Sequence, residues 1–192
     1  MLQPPLFHSA LPSYYNFGTI GFILACQVAF AINTYGRLYN ENGQLGDWWT
    51  NATEAEYKRR SQCFLDQYGN FTIDGLDDKP MHVNSQIFVE EAIGNSAAID
   101  GAFLAWQQRR IDHPETDADL PGLQHWTHEQ LFFIAYANSF CSGTSKEAAV
   151  SRALSGDYGM PKPLAIKGTL QNSQFFRQHF GCKVKESTCK MW

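Results

Sequence analysis

Three residues in one apolar segment have the spacing of a known metal-binding motif. Cys26, Gln27 and Phe30 lie in "ILACQVAFAINTYGR", residues 23–37. If they were His, Glu and His, the segment would contain H-E-x-x-H, a helical motif whose two histidines bind zinc and whose glutamate acts as a general base. The segment is therefore either part of an enzyme with altered catalytic residues or part of a fold that has lost this chemistry.

These side chains can share one face only if the segment is helical. Residues 18–32 are apolar on every side of a helical wheel, which predicts a helix enclosed by protein. The longest apolar run, residues 21–32, is shorter than the roughly 20 residues that a membrane-spanning helix needs. The N-terminal segment has no basic or continuous apolar region typical of a secretion signal. We expect no transmembrane segment in this chain.

Further helices follow from apolar periodicity and capping residues. One begins near residue 53 and stops by Gly69, another extends from Ile87 to Trp106, and a third follows the N-cap Thr127. Shorter helices are predicted over residues 145–155 and 172–180, and turns or a short hairpin at residues 42–46. Residues 73–85 have the composition of a loop, and residues 156–168 contain too many Gly and Pro for regular structure. Strand signals are sparse, so the predicted fold class is mainly α with minor β.

Composition limits the classes of function. A chain of 192 residues that is 44% hydrophobic is long enough to form one globular unit. Its net charge of −4, with scattered basic residues, gives no reason to expect a nucleic-acid partner. Five cysteines without C-x-x-C spacing argue against a zinc ribbon, and their odd number leaves at least one thiol unpaired. Sequons at Asn51 and Asn70 are candidate glycosylation sites.

Several motifs together resemble a known family. They are "LQPPLF", "IGFILACQVAFAINTYGR", "GDWWT", "QCFLDQYGNFT", "HVNSQIFVEEAIGN", "LPGLQHWTHEQLFFIAYANSFC", "GTLQNSQFF" and "CKMW". In this order they resemble the C-terminal part of the neprilysin and endothelin-converting-enzyme family of zinc metallopeptidases. The resemblance implies a thermolysin-like gluzincin catalytic lobe, of which residues 1–192 would be a single partial domain without the N-terminal lobe. It also implies an extracellular or cell-surface location.

The resemblance places the family's zinc ligands on Cys26, Phe30 and Glu91, and only Glu91 keeps the family's residue. The general base falls on Gln27, which cannot accept a proton, and losing such a base typically costs about 10² to 10⁴ in rate. The acid that orients a ligand histidine falls on Asn95. We therefore expect no bound metal and no zinc cofactor.

The remaining catalytic positions are changed as well. The family's C-terminal His and Arg, which stabilise the oxyanion and hold substrate, fall on Gly159 and Ala165. The two acids after the second zinc histidine fall on Asn33 and Thr34. We expect a catalytically inactive homologue that binds a peptide or protein ligand. Two alternatives stay open, namely a zinc metalloendopeptidase as the family class implies, and a truncated fragment without independent function.

Simpler structural roles compete with these assignments. Cys26 and Phe30 are expected to be core residues, whereas Glu91 is either a relic with a local partner or a binding group. The resemblance implies a disulfide between Cys63 and Cys189. It leaves open the pairing of Cys141 and Cys182. The tryptophans expected in the core are Trp48, Trp49 and Trp192.

Overall fold

The computed structural model describes residues 2–156, 159–183 and 188–191, and this part of the chain is mainly helical. The α-helices are α1 (Ser13–Asn16), α2 (Phe22–Phe30), α3 (Asn51–Gly69), α4 (Ser85–Asp112), α5 (His128–Asn138), α6 (Lys146–Ser155), α7 (Lys162–Asn172) and α8 (Gln174–Phe180). A π-helical turn, Phe17–Gly21, joins α1 to α2. Strands β1 (Thr72–Asp74) and β2 (Pro80–His82) form an antiparallel hairpin. The predicted mainly α class with minor β is confirmed.

Side-chain caps fix where the predicted helices begin. The hydroxyl of Thr50 accepts a hydrogen bond from the backbone N–H of Thr53 and starts α3. Thr127 and Gln130 form a reciprocal capping box at the start of α5, with distances of 3.2 and 3.0 Å. Each cap satisfies a backbone N–H that has no partner within the helix. The sequence-based starts of both helices are confirmed.

Helix α4 is the central element of the fold. It packs against α2, α3 and α7, and its residues are buried on several sides. Around its second half, Phe103 and Trp106 pack against the α5 residues Phe132 and Phe133, with ring centroids 5.2 to 5.8 Å apart. The indole N–H of Trp106 donates to Asp117 at 3.0 Å, so this buried polar atom has a partner. A helix surrounded in this way can hold a side chain in a fixed position.

Two regions predicted to be irregular are ordered. Residues 162–168 are helical as part of α7, because Pro161 precedes the helix and Pro163 lies in its first turn, where no backbone donor is needed. The loop expected at residues 73–85 contains strand β2, which pairs with β1 and places Ile73 opposite Met81. The shorter turn prediction at residues 42–46 is confirmed by the bridge between Tyr39 and Leu45.

Two expectations of burial are wrong. Helix α2 is not enclosed, because Leu24 is 57% and Val28 73% exposed to solvent on one of its faces. Trp48 is 54% exposed, whereas Trp49 is half-buried and packs edge-on against Tyr57. Trp192 lies outside the described residues. Within the described ranges, no helix is both long and apolar enough to cross a membrane.

A disulfide between Cys63 and Cys189 connects α3 to the C-terminal segment across 126 residues of sequence. This is the pair that the resemblance implied. The backbone N–H of Cys189 also donates to the buried side chain of Asn172, at 3.0 Å. Cys141 and Cys182 are free and exposed.

Replacing both bridged cysteines by alanine should lower the free energy of unfolding by up to about 5 kcal/mol, since the bridge closes a loop of more than 100 residues in the unfolded chain. Denaturant unfolding of C63A/C189A measures the loss. The variant C141S/C182S, which alters the two exposed thiols, should unfold like the parent. Equal stability of all three proteins would contradict the expected contribution.

Two helical glycines provide a matched test of the packing between α3 and α7. A Cβ at Gly168 would lie 2.1 Å from the hydroxyl oxygen and 2.3 Å from Cζ of the fully buried Tyr68. Gly168→Ala should therefore destabilise the fold by about 1 to 3 kcal/mol. Gly101→Ala has no atom within 4 Å of the new Cβ and should stabilise by about 0.5 to 1 kcal/mol. Thermal unfolding of both variants measures these changes in stability. Melting temperatures that shift in the same direction would contradict the packing described.

Candidate functional site

Helices α2 and α4 pack so that Cys26 and Phe30 of α2 face the α4 segment that contains Glu91 and Asn95. The Cys26 thiol is buried and donates a hydrogen bond to the Asn95 side-chain oxygen at 3.3 Å. Burial, and secondarily the negative charge of Glu91, raise the pKa of Cys26 to about 12. The thiol is therefore protonated at neutral pH and packs as a neutral group.

Phe30 fills the next position along α2 with hydrocarbon. A Cβ placed on Gly94 of α4 would lie 3.2 Å from Cε1 of Phe30, so the ring packs directly on the glycine backbone. The absence of a side chain at residue 94 makes room for this ring. Phe30 has no donor atom, and its ring takes up space between the two helices.

Glu91 is held by the backbone of the segment before α7. One carboxylate oxygen accepts a hydrogen bond from the N–H of Met160 at 2.8 Å. Gly159 has φ +78°, and a Cβ there would lie 3.2 Å from the same oxygen. Ala165, in the first turn of α7, is fully buried in the hydrophobic core. The structure thus brings Gly159 next to Glu91 and places no charged donor at either residue 159 or residue 165.

Gln27, the position of the general base in the resemblance, points to the exposed face of α2. Its neutral amide cannot serve as a base at this position. Beyond the end of α2, the side-chain oxygen of Asn33 accepts hydrogen bonds from the N–H groups of Tyr35 and Gly36 at 3.0 and 2.8 Å. Asn33 therefore shapes a turn.

Sequence reasoning missed Glu90, which anchors this turn to the helical core. Its carboxylate accepts hydrogen bonds from the backbone N–H of Thr34 at 3.1 Å, from the hydroxyl of the same residue, and from the hydroxyl of Tyr57 at 3.1 Å. The sequence does contain a signal for Glu90, namely two adjacent acids, Glu90 and Glu91, in a predicted helix. Because successive helical residues point about 100° apart, two neighbouring carboxylates must have different partners.

Four buried polar atoms close to this region make no hydrogen bond of ordinary geometry in the described part of the chain, although the Thr169 hydroxyl lies near enough to both phenols to lower their pKa values slightly. They are the hydroxyls of Tyr68, Tyr136 and Thr169 and the side-chain nitrogen of Asn95. Burial raises the pKa of both phenols well above the ordinary value. Both phenols remain neutral at physiological pH, so they add no charge to the site.

These side chains do not fit a catalytic zinc site. Such a site needs three protein ligands and an open fourth position. Of residues 26, 30 and 91, only Glu91 keeps an oxygen donor of the family's kind, and that carboxylate already accepts a backbone hydrogen bond. Across residues 2–156, 159–183 and 188–191, no group of three or more His, Cys, Asp or Glu residues could hold a metal ion. Hydrogen bonding and apolar contact are the interactions that this arrangement offers.

The two sequons lie at the two ends of α3. Asn51 is the first residue of α3 and is exposed. Asn70 follows the same helix, is exposed, and donates from its side chain to the carbonyl of Asp66 at 2.8 Å. Glycosylation at either asparagine stays a prediction.

Comparison with known proteins gives a consistent assignment. The model of peptidase family M13 matches residues 1–191. Neprilysin-11 of Caenorhabditis elegans is 32% identical over 182 residues, which are 95% of this chain and 21% of that protein. Human neprilysin is 33% identical over 197 residues, covering 100% of this chain and 26% of its own length. This chain thus spans between a fifth and about a quarter of these two relatives.

A solved structure agrees with the sequence matches. A Mycobacterium tuberculosis zinc metalloprotease in complex with an inhibitor superposes with a TM-score of 0.83 at 26% identity, covering 95% of this chain and 27% of that one. The mainly helical arrangement described above is therefore that of part of a metalloprotease catalytic lobe. By family model, sequence and structure, this chain belongs to peptidase family M13, the neprilysin family, whose class is zinc metalloendopeptidase.

Proposed function

We propose that this chain is a catalytically inactive member of its family, which binds a peptide or protein ligand without hydrolysing it. The observation that carries the proposal is the contact of Phe30 with Gly94, since an aromatic ring fills the place where a second nitrogen ligand would have to reach a metal. A carboxylate at Glu91 is not sufficient to retain catalytic zinc. Zinc is therefore not a cofactor of this chain.

The other altered positions support the same conclusion. Gln27 cannot take a proton from water, and Gly159 and Ala165 carry no donor for a developing oxyanion. Removing one such donor typically costs about 2.7 to 4 kcal/mol of transition-state stabilisation. These effects belong to groups that act together, so they are not summed. Each of them opposes hydrolysis.

A binding role is supported by the exposed face of α2. Leu24 and Val28 lie one turn apart on this face, both are more than half exposed, and Gln27 beside them is uncharged. Large apolar side chains that cluster on a surface usually contact another molecule. We propose that this face contacts the ligand.

Location and domain organisation are part of the same proposal. The disulfide between Cys63 and Cys189 and the exposed sequons Asn51 and Asn70 are typical of a protein in an oxidising compartment, so we propose an extracellular or cell-surface location. The 192 residues would be one partial domain, equivalent to the C-terminal portion of the catalytic lobe.

The competing function is zinc-dependent peptide hydrolysis, which the names of the relatives support. Purified chain should contain well under one equivalent of zinc, and added zinc should produce no cleavage of a quenched fluorescent peptide library. Metal content by mass spectrometry and the peptidase assay measure both. Stoichiometric zinc together with cleavage that a chelator abolishes would overturn the proposal. A chain without cooperative unfolding would instead support the reading as a fragment without independent function.

A gain of metal binding should follow from restoring two ligands. The variant C26H/F30H would place two histidines one helical turn apart, facing Glu91, and so complete a three-ligand zinc site. We expect about one equivalent of zinc and a zinc-dependent rise in melting temperature, because a ligand that binds only the native state stabilises it. The matched control C26H/F30H/E91Q should bind zinc far more weakly. Equal binding by both variants would show that Glu91 does not face the restored site.

A further inference from the structure

A second concave surface lies away from α2. It is a cleft of about 1100 Å³, bordered by the C-terminal half of α3, by α7 and α8, and by the residues after α8. Phe71, Leu170 and Phe176 line it together with the disulfide of Cys63 and Cys189. These groups give the cleft an apolar surface, and its volume is of the size that accommodates part of a peptide. Neither Glu91 nor any residue of α2 contributes to it.

The charged residues of this cleft are mostly basic. Lys167, Arg177 and Lys183 line it, and none of them forms an ion pair within the described residues. Arg59 also lines the cleft but is held by Glu56 at 2.7 Å, and Asp66 is the acidic residue of the described lining. The whole chain has a net charge of −4. The cleft is therefore a positive region on an acidic protein.

The cations are placed beside the apolar surface. The Lys167 ammonium lies 4.6 Å from the centre of the Phe71 ring. Arg177 donates from Nη1 to the carbonyl of Gln171 at 2.7 Å, which orients its guanidinium and leaves other N–H donors for a ligand. Lys183 is exposed. A ligand that contacts the rings can therefore bring a carboxylate within reach of a positive charge.

We propose that this cleft binds an acidic peptide segment that carries an apolar side chain. The carboxylates would pair with Lys167, Arg177 and Lys183, and the apolar side chain would contact Phe71 and Phe176. A nucleic acid fits less well, because the net negative charge of the chain repels a long polyanion. A concave apolar lining also favours a peptide over the flat surface of an anionic membrane. This role is independent of catalysis.

Charge reversal with a matched control tests the proposal on the full 192-residue chain. A fluorescent peptide of alternating Asp or Glu and Phe or Leu serves as the probe, and its Asn and Gln counterpart serves as the neutral control. Anisotropy should show saturable binding of the acidic peptide, weakened about tenfold or more by K167E/K183E. K58E/K79E changes the net charge equally outside the cleft and should alter affinity less than about twofold. Binding should also weaken as salt is raised from 50 to 300 mM.

The free cysteines provide a second readout of location. Cys182 lines the cleft, whereas Cys141 is exposed elsewhere. Saturating acidic peptide should slow alkylation of Cys182 by N-ethylmaleimide severalfold and leave the rate at Cys141 unchanged, as followed by peptide mass spectrometry. Absence of binding, equal binding of the neutral peptide, equal losses in both double variants, or equal protection of both thiols would each overturn the proposal. None of these outcomes depends on whether the chain binds zinc.

Discussion

The packing of α2 against α4 is the constraint on which the rest of the site depends. Phe30 can lie against α4 because Gly94 has no side chain, and Cys26 is held to the same helix through Asn95. Both contacts are short-range and nearly uncharged. In a region of low polarity, neutral side chains are much less costly to bury than unpaired ions, so the packing of this interface does not depend on buried charge.

The pair Glu90 and Glu91 shows how two half-buried acids are accommodated by hydrogen bonds from uncharged donors. Glu90 is turned towards Thr34 and Tyr57 and stabilises the turn after α2. Glu91 is turned towards the backbone N–H of Met160, where the glycine at residue 159 leaves space. Hydrogen bonds from neutral donors satisfy oxygens of both carboxylates and offset part of the cost of their partial burial. The surviving acid of the family's motif thus has a structural partner in this chain, and the same position still faces Cys26 and Phe30.

The two candidate binding surfaces differ in their physical character. The exposed face of α2 is apolar and uncharged, which favours a ligand that buries hydrocarbon. The cleft beside the disulfide combines aromatic rings with Lys167, Arg177 and Lys183, which form no ion pair among the described residues, and this combination favours acidic groups. Both surfaces rest on helices that pack against α4. Helix α2 carries the first surface, and α3 and α7 carry the second. Changes at one surface can therefore be made while the scaffold under the other is kept.

Local sequence determined much of the helical framework. The caps Thr50 and Thr127, the periodicity of α4 and the low density of strand signals were sufficient for the class and for most helix positions, because they act over a few residues. The family motifs identified which residues form the candidate site. Tertiary structure alone decided that Trp48 and one face of α2 are exposed and that Glu90 anchors Thr34. It also decided that Phe30 packs on Gly94. These features depend on residues far apart in the chain, and the burial of a side chain is set by whichever distant element packs over it.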